Sequence, residues 1–199
     1  MRPPRLLVLT DRRQLPAGRS LVETVARCAQ VGLSAVVLRE LDLPEARRAD
    51  LALALAEHVR VVSARTLLPA AVGVHLASHQ PTGDAAAAAW HGRSCHDEEQ
   101  VAAAHGAAYV TISPVAGTAS KPGYGPAIGV AGVRRAVAAG TPPAPRGCAG
   151  VPVFALGGVT PRDVAGLRAA GAHGVAVMGA VMRSEDPAAV VTRLLGELG

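Results

Sequence analysis

Apolar and polar positions fall in blocks along this chain. Short apolar, largely β-branched runs alternate with Ala-rich stretches of helical character at a steady pace. The apolar runs predict eight strands, at 6–10, 35–39, 59–63, 73–76, 92–96, 109–113, 151–156 and 174–178. Between them the pattern predicts helices near 19–31, 43–58, 66–70, 82–88, 97–105, 129–139, 161–171 and 186–197. Strands alternating with helices imply βαβ units and a parallel sheet. Eight is also the number that closes a barrel. The fold expected is therefore a single (β/α)8 TIM barrel occupying 1–199 as one domain, near the lower size limit of roughly 200 residues for that architecture. The rival, an open doubly wound sheet, would carry a Gly-rich turn after its first strand. That position holds Thr10-Asp11-Arg12-Arg13 instead.

Local signals support this frame. Thr160-Pro161-Arg162-Asp163 reads as an N-cap, a first-turn Pro and an acid placed to close a capping box. Ser184-Glu185-Asp186-Pro187 can start the last helix, and Gly32, Gly106 and Gly171 sit where helices must end. One connection, from Pro114 to Gly129, runs for about sixteen residues rich in Gly, Pro, Ser and Thr, a length that points to function.

Composition adds a few constraints. Half of the chain is apolar, enough for one well-buried core, and Trp90, Tyr109, Tyr124 and Phe154 are its whole aromatic set. The core must then be built from Ala, Val and Leu, which suits helices packed closely on a parallel sheet. No apolar run reaches the ~18 residues of a membrane helix, and the apolar run at 6–9 is too short for a signal peptide. Cys28, Cys95 and Cys148 are odd in number and lack metal-type spacing, so a reduced cytoplasmic setting is expected. The net charge is +5, but the cations are scattered with no basic stripe and no interleaved aromatics, so no nucleic-acid partner is expected. Of the twenty cations only Lys121 is a lysine, and it lies in the long Gly-rich connection.

In a barrel of this kind the chemistry sits in the loops after the strands. Strand 2 ends at Arg39-Glu40 and strand 3 at Ser63-Ala64-Arg65. Strand 4 carries His75, while strand 5 carries Ser94 and His96, two apart and so on one face. The long connection brings Thr118, Ser120 and Lys121. Strands 7 and 8 end at Gly157-Gly158 and Gly179, each followed by a helix. Bare backbone N–H groups at the positive end of a helix dipole make an anion site, so these glycines are read as phosphate-binding rather than as turn formers alone.

These residues carry a resemblance. Leu-Thr-Asp-Arg at 9–12, Val-Leu-Arg-Glu at 37–40, Gly-Val-His-Leu at 73–76 and Gly-Arg-Ser-Cys-His at 92–96 resemble successive landmarks of the thiamine phosphate synthase family with its TenI-type relatives. Ser-Pro-Val at 113–115, Thr-Ala-Ser-Lys at 118–121, Leu-Gly-Gly-Val-Thr-Pro at 156–161 and Gly-Val-Ala-Val-Met-Gly at 174–179 continue the series in order. The resemblance implies a (β/α)8 barrel acting on a phosphorylated thiazole in thiamine biosynthesis. It places the phosphate at Gly157, Gly158 and Gly179, and the pyrophosphate of a pyrimidine substrate at Thr118, Ser120 and Lys121.

The departures point to a branch. The synthase pattern Gln-x-Arg-x-Lys on strand 2 retains only Arg39, and the Asn-Asp-Arg after strand 3 is Ser63-Ala64-Arg65. After strand 4 the chain has Ala77-Ser78-His79-Gln80, without a carboxylate. Loss of pyrophosphate is assisted by Mg2+, which prefers carboxylate oxygens. The reading that follows is a TenI-type thiazole phosphate tautomerase, a metal-independent isomerase with no cofactor. His96 would be its acid/base group, and Arg39 and Ser94 would contact the substrate. The alternatives are a thiamine phosphate synthase in which Asp11 or Glu40 replaces the lost carboxylates, and a non-catalytic phosphate-binding relative. A homo-oligomer is compatible with the sequence.

Overall fold

The computed structural model describes residues 3–117, 126–141 and 150–199. Eight strands form a closed barrel in chain order: β1 (Leu6–Leu9), β2 (Ala35–Leu38), β3 (Arg60–Ala64), β4 (Gly73–Leu76), β5 (His91–Cys95), β6 (Tyr109–Ile112), β7 (Val153–Leu156) and β8 (Gly174–Val177). Every neighbouring pair is parallel, and β8 pairs with β1 to close the ring. Among the described residues the α-helices are α1 (Leu21–Gln30), α2 (Glu45–Ala56), α3 (Glu98–Ala103), α4 (Gly129–Ala139), α5 (Val164–Ala169), α6 (Gly179–Met182) and α7 (Pro187–Leu198). Among the described residues no helix is long and apolar enough to cross a membrane.

Strand periodicity sorts the side chains into two cores. Leu6, Val8, Val36, Leu38, Val110, Ile112, Val153 and Ala155 point outward and join buried helix residues such as Val25, Leu55, Val133, Leu167 and Leu194. Leu7, Leu9, Ala35, Val37, Val62, Ala64, Tyr109, Phe154 and Ala176 fill the interior with Trp90. Most aliphatic volume thus lies between sheet and helices, and three of the four aromatics plug the barrel. Their centroids stand 5.1 Å apart for Trp90–Tyr109 and 5.4 Å for Tyr109–Phe154. Gly92 makes room for this plug, because a Cβ there would lie 2.1 Å from the Tyr109 ring.

The helix starts follow the sequence signals. Thr160 and Asp163 form a capping box, with both the Thr160 backbone N–H and hydroxyl donating to the Asp163 carboxylate. Asp186 caps α7 ahead of Pro187. Three expectations need correction. The stretch 66–70 forms no helix: Ser63 Oγ donates to the Thr66 carbonyl and accepts from Leu68 N–H, so the hydroxyl ties down an irregular turn. The stretch 82–88 is a single 3-10 turn at Thr82–Ala85, and 161–171 begins with a 3-10 turn at Pro161–Asp163 before α5. The short helix α6 was not anticipated, since four residues show no readable period.

Candidate active site at the barrel mouth

The same parity that fills the interior decides what reaches the mouth. On β2, Ala35 and Val37 face inward, so Arg39 does too. On β5, Gly92, Ser94 and His96 share the inward face, while Cys95 is buried against the helices. Burial pushes its thiol up to about 12 and removes it as a nucleophile. These columns open into a cavity of about 580 Å³ whose wall includes Arg39, His75, Ser94, His96, Gly157, Gly158 and Gly179. Thr118, Ser120 and Lys121 lie outside the described residues.

The two histidines of the wall differ in setting. His96 ends β5, and its Nδ1 lies 3.1 Å from the Ser113 carbonyl oxygen, which can only accept. The Ser113 hydroxyl lies farther from the same nitrogen, at 3.4 Å, so the nearer carbonyl favours the proton on Nδ1 and leaves Nε2 as the basic nitrogen. Its backbone N–H donates to Gln100 Oε1 at 3.0 Å, and Gln100 Nε2 donates in turn to Asp97, the cap of α3. The first turn of α3 thus braces the histidine. His75, on β4, is buried deeper. Its Nδ1 lies 2.9 Å from the Tyr109 hydroxyl and its Nε2 2.9 Å from Ser94 Oγ. Burial, and then the charges of Arg39 and Arg93, hold its pKa down at about 4, so the ring is neutral near pH 7.

The glycine turns are shaped by close packing as well as by any ligand. Gly157 and Gly158 have φ of +95° and +69°, a region that favours glycine. The segment after β6 runs against them: Ala116 N–H donates to the Gly157 carbonyl, and a Cβ on Gly158 would lie 2.5 Å from the Gly117 oxygen. Both readings of these glycines therefore have a physical basis here. Among the described residues no carbonyl takes the N–H of Gly158, Gly179 or Ala180. The Arg183 guanidinium lies over Gly179, where a Cβ would meet Arg183 Nη1 at 2.3 Å. Gln14 Oε1 accepts from that same nitrogen.

Arg183 was missed in the sequence. Its only signal was its spacing, one helical turn beyond Gly179 at the start of a helix too short to detect. Among the described residues, the ionisable side chains lining the cavity are Arg39, Arg65, Arg183, His75, His79 and His96, with no Asp or Glu among them. The carboxylates nearest in sequence are engaged elsewhere. Glu40 accepts from Arg12 backbone N–H at 3.0 Å and from its guanidinium at 3.0 Å, and Asp42 takes the same guanidinium at 2.8 Å. Asp11 accepts from Gln14 Nε2 at 2.6 Å. Neither Asp11 nor Glu40 lines the cavity. Arg39 forms no salt bridge with its chain neighbour Glu40. Arg39 Nη1 instead lies 3.0 Å from Met178 Sδ, and among the described residues no carboxylate pairs with it. A carboxylate-free wall with several cations suits an anionic ligand.

The comparisons agree with the resemblance read from the residues. The profile described as thiamine monophosphate synthase matches residues 6–181. A thiamine-phosphate synthase of Salinispora arenicola is 36% identical over 179 residues, covering 90% of this chain and 73% of that protein. One of Salinispora tropica is 50% identical over 97 residues, covering 49% of this chain and 42% of the relative. This chain therefore matches less than half the length of that second relative. Among solved structures, the thiamine phosphate pyrophosphorylase from Pyrococcus furiosus superposes with a TM-score of 0.77 at 23% identity, over 98% of this chain and 95% of that one, a likeness of fold. The chain belongs to the thiamine monophosphate synthase family.

Proposed function

We propose that this chain is an enzyme of thiamine biosynthesis that binds a phosphorylated thiazole at the barrel mouth and shifts a proton on it to aromatise the ring. The observation that carries the proton shift is the make-up of the cavity wall: a braced histidine with a basic Nε2, arginines, and no carboxylate. Phosphate oxygens would take the N–H groups of Gly158, Gly179 and Ala180, beside Arg183 and with Gly157 shaping the turn. Arg39 would meet a carboxylate of the substrate, for which its planar fork is suited. Ser94 would contact the ligand from β5. His96 Nε2 would take a proton from one ring carbon and return it to another, the work of a general acid–base group. Thr118, Ser120 and Lys121 remain assigned to anion binding through the family pattern alone.

A second reading has its own support. The curated relatives are named thiamine-phosphate synthases, which favours joining of the thiazole phosphate to a pyrimidine pyrophosphate. That name supports the transferase better than the isomerase. The residues present do not fit the Mg2+ that assists pyrophosphate release. Ala64 and Gln80 stand where the family's carboxylates stand, and Asp11 and Glu40 are tied to Gln14 and Arg12.

One pair of assays separates the two. Purified protein is given the non-aromatic thiazole tautomer, and separately thiazole phosphate plus pyrimidine pyrophosphate with Mg2+. The expected result is aromatisation that survives EDTA and no EDTA-sensitive thiamine phosphate. Robust thiamine phosphate formation that EDTA abolishes would replace the isomerase with the synthase.

A further inference from the structure

We propose that Tyr109 and His75 form a one-way hydrogen-bond wire that commits the Ser94 hydroxyl to donate its proton to an acceptor oxygen of the anion bound in the mouth. The identity of that anion rests on the function proposed above; the direction of the wire does not.

The argument starts from the phenol. Tyr109 is fully buried in the aromatic plug. Among the described residues its hydroxyl has one polar partner, His75 Nδ1 at 2.9 Å. Burial drives the phenol pKa well above its ordinary value, so the hydrogen stays on oxygen. A buried O–H with no acceptor is costly, whereas a phenol oxygen that accepts nothing is tolerated. The O–H therefore donates to Nδ1. His75 is neutral and carries one ring hydrogen, which must then sit on Nε2.

Ser94 Oγ lies 2.9 Å from that Nε2 and so accepts from it. The serine hydrogen cannot also point at His75. Among the described residues no other acceptor takes it, and Ser94 lines the cavity, so the mouth is its outlet. The opposite direction would strand the Tyr109 hydrogen in the plug. Each link also depends on strand register, since β4 pairs His75 with Gly92, and Gly92 pairs with Tyr109 on β6. A side chain at Gly92 would occupy the space the Tyr109 ring needs.

The consequence is selectivity of polarity. The ligand atom opposite Ser94 must be an acceptor, such as a phosphate or carboxylate oxygen, and a ligand presenting an N–H there is disfavoured. Tyr109 and His75 exchange no proton with the substrate. They are positioning residues that act through Ser94.

The test combines 15N NMR of the imidazole nitrogens in the unliganded protein with titration by thiazole phosphate. The wild type should show His75 protonated on Nε2. Tyr109→Phe keeps the ring and the packing but should raise the population protonated on Nδ1. Tyr109→Phe and Ser94→Ala should each weaken thiazole phosphate binding by about tenfold, the scale of one hydrogen bond to a charged group. The double variant should bind no worse than the weaker single variant, because both remove the same donor. A wild-type His75 protonated on Nδ1, or losses that simply add in the double variant, would overturn the wire. If the wild type does not bind thiazole phosphate, the proposed function fails, and the imidazole spectrum alone still decides the direction of the wire.

Discussion

The deep layer of the barrel and its mouth each hold a histidine on an inward-facing strand column, and the two are prepared for different work. In the deep layer His75 is 5% exposed, bonded at both nitrogens and held neutral by burial. At the mouth His96 is half-buried, with Nδ1 directed at a carbonyl and its position braced by the start of α3. His75 is arranged to order its neighbours, whereas His96 faces the cavity where the proposed proton transfer would take place. Residue type did not separate them; depth and partners did. The rule should extend to the surrounding residues, so that changes at the mouth alter binding or turnover directly, whereas changes in the deep layer alter stability and reach the ligand only through Ser94.

The largest effect is expected at His96. His96→Asn preserves size and hydrogen bonding but cannot titrate near pH 7. Its turnover in the tautomerase assay should fall by about 10²–10⁴-fold, with product binding and melting temperature little changed. Near-wild-type turnover would remove His96 from the mechanism and erase the functional contrast with His75.

At Gly158 the two readings of the glycine turn can be separated. Gly158→Ala must displace the backbone at Gly117, which a Cβ would approach to 2.5 Å, and it meets an unfavourable φ of +69°. Gly158→Asp adds a negative charge facing the anion. Phosphate affinity, measured by calorimetry, should drop in both, with Asp losing at least about tenfold more than Ala. Equal losses would leave the glycine a packing residue only.

In the deep layer the expected effect is on stability. His75 in the folded chain titrates near 4, whereas an unfolded histidine titrates near 6.5. Between those values the unfolded chain binds the extra proton, so stability falls as the pH is lowered. The loss approaches ~1.4 kcal/mol per pH unit and totals about 3 kcal/mol by pH 4. Above pH 6.5 the term is absent. Urea unfolding of wild type and His75→Gln at pH 7 and pH 4.5 isolates it, because the variant should lose less stability over that interval. Identical pH dependence would show that His75 does not titrate as its burial implies.

The smallest effect is expected at Arg39. With Glu40 committed to Arg12, Arg39 is available to a ligand. Arg39→Lys keeps the charge but loses the fork, and should bind the carboxylated thiazole phosphate about tenfold less tightly than wild type, with Arg39→Ala weaker still. Equal affinity in the two variants would detach Arg39 from the ligand.

Much of this molecule could be read directly from its residues. All eight strands lie within two residues of their predicted starts and within one of their predicted ends, because an apolar run bounded by turn residues is a local signal. Alternation along those strands also placed Arg39, Ser94 and His96 on the inward face and Cys95 on the outward one. Helical segments were harder at 66–70 and at α6, where a side-chain hydroxyl and a single turn replace periodicity.

What residue order determined by itself is the strand frame, the facing of each side chain, the family, and the lack of carboxylates at the positions after strands 3 and 4. These depend on short-range pattern, which survives without knowledge of distant neighbours. Only the tertiary structure decided that Glu40 belongs to Arg12 rather than Arg39, that Gly158 is hemmed in by Gly117, that Arg183 lies over Gly179, and that His75 is bound between Tyr109 and Ser94. Each is a contact between residues distant in sequence or on separate turns of backbone. A hydrogen bond or a pKa is set by the distance and burial that closing the barrel creates.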